Sequence, residues 1–221
     1  MKTISINLYS IDELSKEAQE NAFGKYRCWN VENNYWYDFV LDDFVAICKT
    51  IGVDIAVNGI AFRGFWSQGD GSAFKSTINA KEFIEGVSLQ KWKEYAPHLD
   101  FLFKPCPCDQ RVIALLLNEQ IECNWGTKIP NRGYWIDIDT DYYWESQDSR
   151  DFSNIYGQLE KLDSWIKEIL NVLNRYLFKS LEEDYEYRTS DEALKETFLG
   201  NEYLFTADGR MADRLLDLGN S

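Results

Sequence analysis

Apolar positions along this chain switch between helical and alternating spacing, and the switches mark out its elements. Ile4 to Leu8 alternates and predicts a short opening strand. Ser10-Ile11-Asp12-Glu13 has the form of a capping box, opening a helix with Leu14, Ala18, Ala22 and Tyr26 on one face and an end near Trp29. A second helix is predicted from Trp36 to Ile51, where Val40, Phe44, Ile47, Cys48 and Ile51 recur at helical spacing and Gly52 supplies the stop. The period then changes. Val53 to Val57, Asn58-Gly59 and Ile60 to Trp66 read as a hairpin, because Asn-Gly between β-rich runs favours a tight turn. Ser67 to Gly71 is the next turn, and Ser72 to Thr77 completes a three-stranded antiparallel meander.

Short helices follow at Lys81 to Gly86, Leu89 to Tyr95 and Asp109 to Gln120, with Pro97, Pro105 and Pro107 breaking the connections. Strand patterns return at Ile121 to Gly126 and Tyr134 to Trp144, around a turn at Pro130 to Gly133. Leu159, Leu162, Ile166, Ile169, Leu170, Leu173, Tyr176, Leu177 and Leu181 form one apolar stripe. The helix that carries it, from about Ser153 to Tyr185, is on the order of 50 Å long at the standard rise per residue. Thr189 to Glu192 is a second capping box, opening a short helix that Gly200 closes, and Tyr203 to Phe205 with Ala207 to Gly209 reads as an edge strand and turn. The pattern predicts a single α+β domain over residues 1–221: a mostly antiparallel sheet, helices packed on one face and a long C-terminal helix.

Composition narrows the function classes. A chain that is 45% hydrophobic and 15% aromatic folds, and a formal charge of −14 with a pI near 4.5 argues against a phosphate-binding surface and for basic partner surfaces. No run approaches the length of a membrane span, and the N-terminal stretch turns polar too soon for a signal peptide, so a cytoplasmic protein with no membrane association is expected. The odd set of Cys28, Cys48, Cys106, Cys108 and Cys123 then reads as reduced thiols.

Two stretches stand out as candidate binding sites. In FRGFWSQGDGSAF, Phe65 and Trp66 precede Ser67-Gln68-Gly69-Asp70-Gly71, either a glycine-rich turn or a small polar site whose glycines admit a ligand close to the backbone. It lacks the pattern of a phosphate loop. The second stretch is Asp137, Asp139 and Asp141, which alternation places on one strand face about 6 to 7 Å apart, beside Tyr143 and Trp144 as exposed anchors. Such a row can present spaced negative charge to a nucleic-acid-binding protein, or be a solvated face that discourages edge pairing. Tyr142 stands where a calcium loop needs glycine and Asp148 where it needs glutamate. From Asp137 to Glu192 there are fifteen acidic residues against six basic ones, so this quarter of the chain carries most of the net charge. Cys106, Cys108, Cys123 and His98 are soft ligands whose spacing fits no usual zinc motif, and His98, the only histidine, has no nucleophile motif to serve. Neither a metal nor another cofactor is expected, and no catalytic residue is marked.

INLYSIDELSKEAQENAFGKYR (Ile6 to Arg27), FRGFWSQGDGSAF and LEEDYEYRTSDEALKETFLGNEYLFTADGR (Leu181 to Arg210) resemble segments of tailed-phage and prophage proteins often labelled "antitoxin of toxin-antitoxin stability system". The likeness covers the start, middle and end of the chain and leaves out Lys81 to Gln120. It implies a phage origin and a role in host takeover, counter-defence or stabilisation, and it draws the Ser67 to Gly71 turn into the recognisable pattern. It transfers no catalytic residue. The expectation is a non-enzymatic acidic inhibitor of a host protein, such as a CRISPR or other defence effector or a toxin, acting in the host cytoplasm by mimicry of nucleic-acid charge, with no direct nucleic-acid binding. Two alternatives stand beside it: an enzyme handling a small molecule or nucleotide at the Ser67 to Gly71 turn, and a structural module that self-associates through its long helix. The sequence leaves the oligomeric state open.

Overall fold

A computed structural model describes residues 5–144 and 153–212. In chain order its elements are α1 (Lys16–Lys25), α2 (Asp38–Thr50), β1 (Val53–Arg63), β2 (Gly71–Ile78), α3 (Ala80–Ser88), α4 (Trp92–Tyr95), α5 (Gln110–Leu117), β3 (Glu122–Lys128), β4 (Asp137–Tyr143), α6 (Ser153–Arg188) and α7 (Asp191–Gly200). The fold is α+β, with a four-stranded antiparallel sheet in the order β1-β2-β3-β4 and a long C-terminal helix, α6. The chain divides into two compact units, residues 39–181 and residues 1–38 with 182–221.

In the smaller unit the Ser10 capping box forms, with the Ser10 amide donating to Glu13 Oε2 at 2.8 Å, but it holds only a 3-10 turn at Ile11–Glu13. The helix begins later, where Ser15 Oγ accepts from the Ala18 amide. The predicted face then packs as expected: Leu14, Ala18 and Ala22 are buried with Phe23, Leu194, Phe198 and Phe205, and Tyr26 packs against them. The second predicted box is also displaced, since Ser190 rather than Thr189 caps α7 by accepting from the Ala193 amide, while the Thr189 hydroxyl donates back to Tyr185 O. Of the predicted opening strand, Ile4 lies outside the described residues and 5–8 form no strand. Tyr9 alone bridges to Phe205, and Phe205 bridges onward to Met211.

In the larger unit the register sorts side chains between two sheet faces. Phe74, Ser76 and Ile78 of β2 stand on the same face as Ile60, Ile55 and Val53 of β1 and as Thr127 and Trp125 of β3. Helices cover this face: Phe44 of α2 meets Phe74 at 5.3 Å between ring centroids, Phe83 of α3 meets Trp125 at 6.4 Å, and the Tyr142 hydroxyl of β4 donates to Asp163 of α6 at 2.6 Å. The apolar stripe of α6 is buried at Leu159, Leu162, Ile166, Ile169, Leu170, Leu173, Leu177 and Leu181, which removes it as a free self-association seam.

The predicted hairpin at Asn58-Gly59 does not form. β1 runs through the pair as one strand, and the register jumps from Ile55 opposite Ser76 to Ile60 opposite Phe74. Asn58 alone takes the left-handed conformation, at φ +55, whereas the favoured two-residue turn needs both residues there. Gly59 is buried, and a Cβ on it would lie 2.5 Å from the Ala56 carbonyl oxygen and 2.9 Å from that of Lys75. The glycine therefore serves an irregular bulge pressed against β2.

Candidate functional site

The loop from Gly64 to Asp70 joins β1 to β2 and is closed by one carboxylate. Asp70 Oδ2 accepts from the amides of Ser67 at 2.6 Å and Trp66 at 3.0 Å, and the Asp70 amide donates to Ser67 O at 3.1 Å. This is the local side-chain turn that aspartate favours. Gly64 has φ +53, and a Cβ there would lie 2.5 Å from the Asp70 carboxylate, so the glycine makes room for that closure. Phe65 packs inward between Phe62 and Phe178, at 6.2 and 5.5 Å, while Trp66 is 67% exposed. Ser67, Gln68 and Gly69 are exposed, and Gly71 begins β2, buried against the Tyr134 backbone. Together with Arg63, Gly133 and Tyr134 the loop walls a recess of about 560 Å³. Gly133 and Tyr134 join this loop only through the fold, which carries the connection before β4 over to it.

Asp137, Asp139 and Asp141 occupy β4, the last strand of the sheet, and all three are exposed on the face opposite the helices. The register sets Lys128 opposite Asp137, Gly126 opposite Asp139, Asn124 opposite Asp141 and Glu122 opposite Tyr143. Glu122 and Asn124 thus extend the polar face, a grouping that alternation within a single strand does not reveal. Lys128 Nζ sits 2.6 Å from Asp139 Oδ2, and this hydrogen bond, reinforced by the neighbouring carboxylates, lifts the lysine above its ordinary pKa. Tyr143 closes the row, 55% exposed, and Trp144 meets Tyr156 of α6 edge-on at 5.2 Å. What the row can do is electrostatic: hold positive charge along a line, with an aromatic side chain at one end.

The sulfur residues do not assemble a metal centre; among the described residues no group of three His, Cys, Asp or Glu side chains is placed to hold a metal ion. His98 is exposed. Burial pushes the Cys108 and Cys123 thiols up to about 11 and raises Cys48 further still, which suits packing more than nucleophilic chemistry. A second recess, of about 480 Å³, lies between Lys104, Pro105 and Pro107 and the α6 residues Gly157, Glu160, Lys161, Ser164, Trp165 and Glu168. Its rim is tied by the Lys104–Glu168 ion pair at 2.7 Å and by Trp165 Nε1 donating to Lys104 O at 2.7 Å. No helix among the described residues is long and apolar enough to cross a membrane.

Among protein families, the sequence model described as Domain of unknown function (DUF8835) matches residues 36–191. No curated protein and no solved structure matches the chain.

Proposed function

The chain belongs to the family Domain of unknown function (DUF8835), and we propose that it is a non-enzymatic acidic binding protein that docks a basic protein surface on the open face of β3 and β4. The observation that carries this reading is the exposed row Asp137, Asp139 and Asp141 on an edge strand, ending at exposed Tyr143. Charge complementarity speeds encounter and fixes register, and an aromatic at the end of the row supplies an anchor. A net charge of −14 favours the same class of partner over the whole surface. The resemblance to phage proteins makes that partner a host protein that handles nucleic acid or a toxin, held inactive while its basic surface is covered.

The test is capture from a nuclease-treated bacterial lysate by the tagged full chain, compared with the variant Asp137→Lys, Asp139→Lys, Asp141→Lys. A stoichiometric partner that salt releases from the native chain and the variant fails to hold supports the reading; equal capture by both excludes this face.

The recess beside Trp66 is the observation that favours a small-molecule site instead. Against it, Asp70 Oδ2 is committed to two backbone amides of its own loop. Asp70→Ala, folded and without loss of function in a phage-infection assay, removes that alternative.

A further inference from the structure

The two edges of the sheet are built differently. Along β1, between Ile55 and Ile60, the chain spends four residues where β2 spends only Lys75, and Asn58 turns left-handed in the middle. A bulge of this kind spoils a strand edge for pairing. β4 pairs with β3 through seven consecutive residue pairs with no shift in register. Among the described residues no backbone group outside β3 bonds to it. Every second residue of a regular strand turns its amide and carbonyl away from its one neighbour, so among the described residues the outer ladder of β4 is not taken up.

The side chains say which strand that ladder accepts. Asp137, Asp139 and Asp141 stand at every second position, so a second β4 laid alongside would set carboxylate against carboxylate. A strand with cations at alternate positions meets the opposite case, and the sheet already contains one instance of it. Lys128, directly opposite Asp137 on β3, reaches one step along to Asp139 at 2.6 Å. A lysine or arginine on the outer side has the same reach to the same carboxylates.

We propose that β4 takes up an extended segment of the partner as a fifth strand, with lysine or arginine at alternate positions beside Asp137, Asp139 and Asp141. This rests on the acidic-face reading and adds a geometry to it: the backbone contributes hydrogen bonds and the period of two selects the sequence. Tyr143 covers the side chain at the end of the added strand.

Two synthetic peptides of one composition distinguish the geometry from charge alone. In one, lysine and threonine alternate; in the other, the lysines form a block. Binding to the full chain is measured by calorimetry at low salt, and the alternating peptide is remade with backbone N-methyl groups at the lysines only or at the threonines only. Strand addition predicts that the alternating peptide binds about tenfold tighter than the block, and that N-methylation abolishes binding in one parity and spares it in the other. Equal affinity for both peptides, indifferent to N-methylation yet lost in the triple Asp→Lys variant, overturns strand addition and leaves the acidic-face reading standing. No binding of either peptide overturns both.

Discussion

Ser72 on β2 and Asn174 on α6 exchange hydrogen bonds in the interior of the larger unit. The Ser72 hydroxyl donates to Asn174 Oδ1 at 2.8 Å, and Asn174 Nδ2 donates back to the Ser72 carbonyl at 2.7 Å. Both residues are buried, so each is the other's solvent. Asn174→Ala leaves the Ser72 carbonyl and hydroxyl without these partners and is expected to cost about 2 to 3 kcal/mol in chemical denaturation, more than Ser72→Ala, which keeps the backbone acceptor satisfied.

At the β1–β2 loop, one oxygen of Asp70 gathers the amides of Trp66 and Ser67. Asp70→Ala is expected to lower stability by about 1 to 2 kcal/mol and to change the fluorescence environment of Trp66 as the loop opens. Gly64→Ala strains the same closure from the other side, because its backbone is left-handed and its Cβ falls on the carboxylate. Denaturation midpoints should therefore fall for both variants, and a double variant should fall by less than the sum.

Tyr142 gives an alkaline signature. Burial first, and then the hydrogen bond to Asp163, raise its pKa above the ordinary tyrosine value. The folded state then holds the phenolic proton where the unfolded chain releases it, so this group's stabilisation is complete below about pH 10 and is lost as pH rises beyond that, by at most about 1.4 kcal/mol per unit. Tyr142→Phe should show a shallower loss of stability above that pH, measured by urea midpoints across the range.

Thiol accessibility separates the cysteines. Cys28 is exposed, whereas Cys48 is fully buried and the thiols of Cys108 and Cys123 are pushed up by burial. Mass spectrometry after brief alkylation at neutral pH should find Cys28 modified first and Cys48 last, with all five becoming reactive only in denaturant.

The helical periods were legible because burial enforces them: every leucine and isoleucine of the α6 stripe from Leu159 to Leu181 is inside. Local signals shared between motifs were less so. Asn58-Gly59 fits a hairpin turn and a bulge equally well as a dipeptide, and the long-range pairing of Ile60 with Phe74 decides between them. The serines at 10 and 15 both suit a helix start, and the second wins because Leu14 points into the core in extended conformation between them. At the candidate face, alternation alone placed Asp137, Asp139 and Asp141 together, while Lys128, Asn124 and Glu122 joined them only through the register of β3. At Ser67 to Gly71 the residues alone fit a turn or a polar site, and the closure of the loop by the Asp70 side chain on the Trp66 and Ser67 amides is visible only in the fold.

The central claim is that the β4 carboxylates act by position and not merely by adding to the net charge. The measurement that tests it most directly is the affinity of the captured partner for the native chain, for Asp137→Lys, Asp139→Lys, Asp141→Lys, and for a control with the same change of charge at exposed Glu17, Glu20 and Glu94. The account predicts a loss of at least about tenfold for the β4 variant and a small, salt-screened loss for the control. Equal losses in the two would contradict it.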